Sequence, residues 1–343
     1  MRGFFACCSE YQNTSRSESS FAVAIDVPRT GSLWDLELFA TLVSADDQES
    51  GTLFMSDTRV DENPFDSPRQ VEAIGPVGGN SFVGSTVLIC GRATGIGAAA
   101  ARGFARAGAT TVVADIAEGD GDALVATLVT EGRSAGFRHC DVSSERDVVS
   151  TFAAVEEQFG AINTVFANAG IEWTKDVRHT TLTEWQRVID VNLTGMFLVG
   201  RESLRLLYAR GHGSVILTSS PHATATVADT VAYAASKGGV NSLVRALSLE
   251  AAAFAVRVNG VVPGTIDTPM VRRELQASSD PELQLSLLAS GQPLQRVGQP
   301  EDVANLVMYL PSPMASFITG ALVSVDGGLM AGLPAGKPPS YQD

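Results

Sequence analysis

The stretch that decides the fold begins Thr86-Val87-Leu88-Ile89-Cys90, turns through Gly91-Arg92-Ala93-Thr94-Gly95-Ile96-Gly97, and continues as an alanine-rich run over 98–107. Five apolar and β-branched side chains read as a buried strand, the alanine run as a strong helix, and the glycines as the turn between them. Without a Cβ, Gly91 and Gly95 are free to take positive φ and to let a pyrophosphate approach the backbone amides, where a helix start favours negative charge. Gly97 would let the helix pack closely on the strand. Three glycines at this spacing also fit an ordinary tight strand-to-helix turn, so the rest of the chain has to decide.

Downstream, β-branched runs alternate with Ala- and Leu-rich amphipathic stretches. Strands are expected at 86–90, 111–114, 134–141, 164–167, 214–219, 257–262 and 322–325. That rhythm builds one doubly wound α/β domain over 81–331, a seven-stranded parallel sheet with helices on both faces. Residues 332–343 read as a flexible tail. Upstream the composition changes: residues 1–80 hold 5 of the 24 basic and 13 of the 38 acidic residues. Ser, Asp, Pro and Gly interrupt each apolar stretch there, so this segment reads as an acidic, largely irregular N-terminal extension with one short helix near 33–43.

Composition narrows the function. The net charge of −14 and the absence of a basic stripe argue against a nucleic-acid partner. Cys7, Cys8, Cys90 and Cys140, with four scattered histidines, show no metal-ligand or disulfide spacing, so no metal is expected and a reducing cytoplasm is the default. No apolar run reaches the roughly 18 residues of a membrane helix. Cys7 and Cys8 follow no myristoylation signal and read as incidental thiols.

The strand expected at 111–114 runs into Asp115, 18 residues past Gly97, where a carboxylate can accept hydrogen bonds from ribose hydroxyls and would repel a 2′-phosphate. NAD is therefore favoured over NADP. Arg92 is the counter-evidence, since a guanidinium could pair with that phosphate; the alternative is a solvated loop arginine. Asp141, ending the third strand, could reach the adenine amine or simply cap the strand. Asn168-Ala169-Gly170 closes the fourth strand with small residues, at the sheet edge where open α/β sheets bind ligands.

The reactive end lies at 214–250. A buried strand ends in Thr218-Ser219-Ser220, and thirteen residues after Ser220 comes Tyr233, opening Tyr233-Ala234-Ala235-Ser236-Lys237. At i and i+4, Tyr233 and Lys237 share one helical face. A phenol with a pKa near 10 is a poor base at neutral pH, but an ammonium and a cationic nicotinamide ring both favour phenolate. Lys237 is one of only three lysines against 21 arginines, and an arginine there could not cycle protons. Taken alone, the spacing also fits a helix start with an amphipathic lysine.

Together these residues resemble the short-chain dehydrogenase/reductase family, in its subclass of about 250 residues. The resemblance rests on CGRATGIG at 90–97, Asp115, DV at 141–142, ANAG at 167–170, Asn192 in VNLTG, Ser220, Tyr233 with Lys237, PGTIDT at 263–268 and VDGG at 325–328. Two positions depart from the family pattern: Cys90 stands where threonine ties the turn to a neighbouring strand, and Ala167 replaces the first Asn of NNAG. Both are expected to soften the turn without touching the reacting atoms.

The resemblance implies a Rossmann-like fold and an enzyme that moves a proton and a hydride between a secondary alcohol and a ketone. Laid onto this chain, the catalytic residues are Asn192, Ser220, Tyr233 and Lys237. Tyr233 exchanges the proton, Ser220 binds the substrate oxygen, and Lys237 lowers the Tyr233 pKa and binds the nicotinamide ribose. The backbone of Asn192 holds a water linking Lys237 to solvent. The implied cofactor contacts are Gly91, Arg92, Gly95, Ile96, Gly97, Asp115, Asp141, Val142, Asn168, Ala169, Gly170, Tyr233, Lys237, Pro263, Gly264, Ile266 and Thr268, with no metal. Residues 221–231 and an amphipathic helix pair within 268–296 are expected to line the substrate pocket, with Glu172 and Trp173 as a wall. Arg272 and Arg273 read as a solvated pair, and Ser219 and His222 as structural residues. The resemblance further implies a homotetramer, or a dimer, with apolar faces after Tyr233 and around 302–310. The rival readings are an NADP-dependent carbonyl or 3-oxoacyl reductase of the same fold, and a non-catalytic dinucleotide-binding sensor or scaffold.

Overall fold

The computed structural model describes residues 81–332. The expectations for 1–80, including the helix near 33–43 and Cys7–Cys8, and for the tail from 333 lie outside the described residues.

The order is β1 (Thr86–Cys90), α1 (Gly95–Arg106), β2 (Thr110–Asp115), α2 (Glu118–Thr130), β3 (Ala135–His139), α3 (Glu145–Phe159), β4 (Ile162–Ala167), α4 (Leu182–Ile189), α5 (Gly195–Arg210) and β5 (Gly213–Thr218). It continues with α6 (Val231–Ala252), β6 (Val256–Pro263), α7 (Pro269–Ala277), α8 (Pro281–Ser290), α9 (Pro300–Tyr309) and β7 (Leu322–Val325). All seven strands pair in parallel, in the order β3-β2-β1-β4-β5-β6-β7. Strand order reverses between β1 and β4, and the crevice outside the strand ends at such a switch point is where open α/β sheets take ligands.

Every residue of β1 is buried, because helices cover both faces. Alternation then sorts the strands into two cores. Leu88 and Cys90 join Val112, Val165 and Leu217 under α3, α5 and α6, while Val87 and Ile89 join Val113, Phe166 and Ile216 under α1, α2 and α9. The expected strands are present, with ends shifted by a residue or two. β3 stops at His139 rather than 141, because the Asp141 carboxylate accepts hydrogen bonds from the Ser143 backbone N–H at 2.9 Å and hydroxyl at 2.6 Å and turns the chain. Among the described residues no helix is long and apolar enough to cross a membrane.

Candidate active site

The glycine turn is tied down from three sides. Asn168 and Ala169 both donate backbone hydrogen bonds to the Cys90 carbonyl, at 2.8 and 2.9 Å, and Gly91 N–H bonds the Ala114 carbonyl at 2.7 Å. Asp115 Oδ2 accepts from Ala93 N–H at 2.8 Å. The turn is thus held by backbone and by Asp115, and Cys90 is a buried core residue. Gly91 and Gly95 do have positive φ, +94° and +54°. A further reason for Gly91 comes from packing: a Cβ there would lie 2.3 Å from Ala169 Cα. At Gly97 a Cβ would lie 2.0 Å from the Arg92 carbonyl, so this glycine makes room for the turn itself rather than for the strand.

At the start of α1, Thr94 makes no side-chain cap and the first turn has no acidic residue. The backbone N–H groups of Gly95, Ile96 and Gly97 have no acceptor among the described residues. Three amides aimed out of a helix start fit a diphosphate.

Arg92 also has positive φ, +60°. Its guanidinium donates to the Gly170 carbonyl and reaches Met270 Sδ at 3.9 Å. It therefore lies on the β4 side of β1, whereas Asp115 ends β2 on the other side. Asp115 is buried, and each of its oxygens already accepts one backbone N–H, from Ala93 and from Ala117.

Asn192 stands in a π-helical turn, Asp190–Thr194, between α4 and α5, a local widening that nothing in the sequence announces. It is fully buried, and its amide grips the backbone of Ile171 from both sides: Oδ1 accepts from Ile171 N–H and Nδ2 donates to Ile171 C=O, each at 2.8 Å. Nδ2 also reaches Ser236 Oγ at 3.2 Å. The side chain thus joins the 168–171 loop to α6.

Ser220 follows β5 and accepts from His222 N–H at 3.3 Å. Tyr233 and Lys237 share the inward face of the first turns of α6, as the i, i+4 spacing requires. The Lys237 side chain is buried, donates to the Thr218 carbonyl at 2.9 Å, and stands 5.7 Å from the centre of the Tyr233 ring. Burial pushes the phenol up to about 12, against the pull of a hydrogen bond with Ser220 and of the Arg92 charge, with Glu172 adding to the rise. Burial, reinforced by Arg92 and opposed by Glu172, pushes Lys237 down to about 7. The Arg92 charge pulls the phenol down, while burial disfavours charge on both members of the Tyr–Lys pair.

A cleft of about 1240 Å³ opens along this carboxyl edge. It gathers Arg92, Ile96, Asn168, Gly170, Ser220, Tyr233, Lys237, Pro263, Gly264, Ile266 and Thr268. Gly91, Gly95, Gly97, Ala169 and Asn192 are not part of its lining, and Asp115, Asp141 and Val142 lie toward β2 and β3, also beyond it. Val142 is buried, and a Cβ on Gly195 would lie 2.9 Å from its Cγ2. Both expected pocket segments are there, 221–230 on one wall and α7–α8 on the other. Glu172 lines the cleft and Trp173 does not. Arg272 is paired with Asp267 at 2.6 Å and Arg273 is exposed. Met270 and Leu288 are the apolar lining supplied by the expected 268–296 segment, and sequence reasoning missed Met330, which lines the cleft from beyond β7.

A family model described as Enoyl-(Acyl carrier protein) reductase matches residues 91–330. The chain belongs to the short-chain dehydrogenase/reductase family. It is 37% identical over 254 residues to cis-4-hydroxycyclohexanecarboxylate dehydrogenase of Sinomonas cyclohexanicum, covering 74% of this chain and 99% of the relative. It is 33% identical to 2-(S)-hydroxypropyl-CoM dehydrogenase 3 of Xanthobacter autotrophicus, covering 74% and 99%. Among solved structures, a gluconate 5-dehydrogenase from Burkholderia cenocepacia in complex with NADP and tartrate superposes with a TM-score of 0.70 at 30% identity, covering 75% of this chain and 99% of that one. Levodione reductase superposes with a TM-score of 0.71 at 30% identity, covering 74% and 100%. As a short-chain dehydrogenase/reductase, the chain is an NAD(P)-dependent oxidoreductase acting on CH–OH groups.

Proposed function

We propose that this enzyme interconverts a secondary alcohol and a ketone with NAD(H). The observation that carries the reading is the convergence of Ser220, Tyr233 and Lys237 on one cleft at the carboxyl edge of the sheet, beside the glycine turn and its free helix-start amides. In this reading Gly91, Gly95, Ile96 and Gly97 receive the diphosphate, Asp115 the adenosine ribose and Asp141 with Val142 the adenine. Ala169 and Gly170 flank the bound dinucleotide, and Pro263, Gly264, Ile266 and Thr268 meet the nicotinamide end. When bound, the nicotinamide accepts or supplies the hydride.

Tyr233 exchanges the proton with the substrate oxygen, and Ser220 holds that oxygen through its hydroxyl. The phenol, at about 12, is protonated at neutral pH and stands ready to donate to a carbonyl oxygen; in the oxidising direction phenolate has to form. Lys237 binds ribose hydroxyls and passes protons toward a water on the Asn192 backbone, while the Asn192 side chain acts as a positioning group.

NAD rather than NADP is supported by two features. The buried Asp115 carboxylate opposes a 2′-phosphate, and the Arg92 guanidinium is engaged on the β4 side by Gly170 and Met270. The second reading, an NADP-dependent reductase, is favoured by the NADP bound to the gluconate 5-dehydrogenase relative. A paired screen of secondary alcohols with NAD and NADP tests both: at least tenfold higher kcat/KM with NAD is expected, and NADP preference would overturn the assignment. Tight NADH binding without turnover of any alcohol or ketone would instead favour a sensor.

A homotetramer or dimer in the cytoplasm remains our reading by family resemblance. Val303, Ala304 and Val307 of α9 are buried within the chain, which leaves Leu249 on α6, 79% exposed, as the stronger contact candidate.

A further inference from the structure

His222 was expected to be structural because it has no partner in the adjacent sequence; the fold gives it one. Its Nδ1 lies 2.7 Å from Thr226 Oγ1, which lies 2.8 Å from Thr230 Oγ1, which donates to the Val227 carbonyl at 2.8 Å. One proton per hydroxyl fixes the direction of the whole chain. A carbonyl cannot donate, so the Thr230 proton goes to Val227. Thr226 must then donate to Thr230, and Nδ1 must donate to Thr226. The imidazole is the Nδ1–H tautomer, and Nε2 is left as an acceptor with no partner among the described residues. Burial holds the ring below its usual pKa, which keeps it neutral at pH 7.

The ring packs edge to face on Tyr233 with centroids 5.4 Å apart, stands two residues after Ser220, and lines the cleft with both. We infer that His222 Nε2 is a second polar contact for the substrate, accepting a hydrogen bond from a hydroxyl one or two carbons from the carbinol carbon, so that the preferred substrates are diols or polyols. The inference rests on the alcohol dehydrogenase reading and narrows it. An ether or ketone oxygen at that place would set lone pair against lone pair and bind less well.

The test compares kcat/KM for cyclohexane-1,2-diol, as cis and trans isomers, with cyclohexanol and 2-methoxycyclohexanol, the last keeping the second oxygen without its proton. The expected preference for one diol isomer over the ether is about tenfold, the size of one satisfied hydrogen bond over an unsatisfied acceptor. His222→Phe keeps the packing on Tyr233 and removes the acceptor, so the diol-to-ether ratio should fall to about one. Thr226→Val frees the tautomer and should lower the ratio part of the way. A wild-type ratio near one, or a His222→Phe loss equal on all substrates, would overturn the inference and leave the dehydrogenase reading intact. Turnover of none of the substrates with either dinucleotide would sink both.

Discussion

Asn192→Ala is the sharpest test of how the site is held. The substitution deletes an amide that is fully buried and that makes three hydrogen bonds, two to the Ile171 backbone at 2.8 Å and one to Ser236 at 3.2 Å. Ile171 is only half-buried, so water can recover part of what its N–H and C=O lose. Taking about 1 kcal/mol for each of three bonds gives a loss of about 3 kcal/mol, or about 6–12 °C in Tm for a domain of this size. The loss is local. It frees the 168–171 loop, whose Gly170 carbonyl holds Arg92, so the KM for the dinucleotide should rise together with the fall in Tm. Asn192→Asp keeps the acceptor for Ile171 N–H, removes the donor and buries a charge, and it should cost more than alanine does. Scanning calorimetry and NADH fluorescence titration measure both effects. If Asn192→Ala shifts Tm by less than about 2 °C and leaves dinucleotide binding unchanged, the side chain is not the clamp described, and only its backbone serves the site.

Four further outcomes are expected. Tyr233→Phe should lower kcat by 10²-fold or more, on the order of a lost general acid–base group, with NADH affinity near wild type by fluorescence titration. Alcohol oxidation should rise with pH from 7 to 10, since phenolate is scarce well below a pKa raised to about 12, whereas ketone reduction, which uses the phenol, should stay level; initial rates in both directions check this. Asp115→Ser should shift the NADP-to-NAD ratio of kcat/KM upward and lower Tm, because it removes the charge and leaves one shorter hydroxyl where two carboxylate oxygens serve Ala93 and Ala117. Gly91→Ala should destabilise the fold by about 2–4 kcal/mol, from lost positive φ plus overpacking on Ala169, read as an earlier thermal transition.

How much of this was legible beforehand varies by region. The parallel sheet and its alternating helices were, because strands buried on both faces have to be apolar throughout, as TVLIC at 86–90 is. The pairing of Tyr233 with Lys237 was legible too, since helical geometry alone brings i and i+4 together. Arg92 was not: its residue type advertised a phosphate, but the left-handed backbone at 92 sends the side chain toward β4, and φ leaves no trace in a non-glycine letter. The π-helical turn that aims Asn192 at Ile171 is equally silent. Gly97 was assigned to the right turn for the wrong reason, because the carbonyl it accommodates belongs to the turn itself.

The geometry also separates two jobs that one motif list runs together. On the β2 side of the switch point, Asp115 accepts one amide of the glycine turn, from Ala93, and one ahead of α2, from Ala117, so the charge proposed to select the cofactor also shapes the loop proposed to receive it. Toward β4 and β5, Arg92, Asn168 and Asn192 join loop to loop: Arg92 to Gly170, Asn168 to Gly91 and Thr218, Asn192 to Ile171 and Ser236. Thr218 in turn holds Lys237. Ser236 donates to the Tyr233 carbonyl at 2.7 Å, so the first turns of α6 are tied by hydrogen bonds back to the glycine turn, and in the proposed mechanism a change at the dinucleotide end should be felt at Tyr233 without any contact to the substrate.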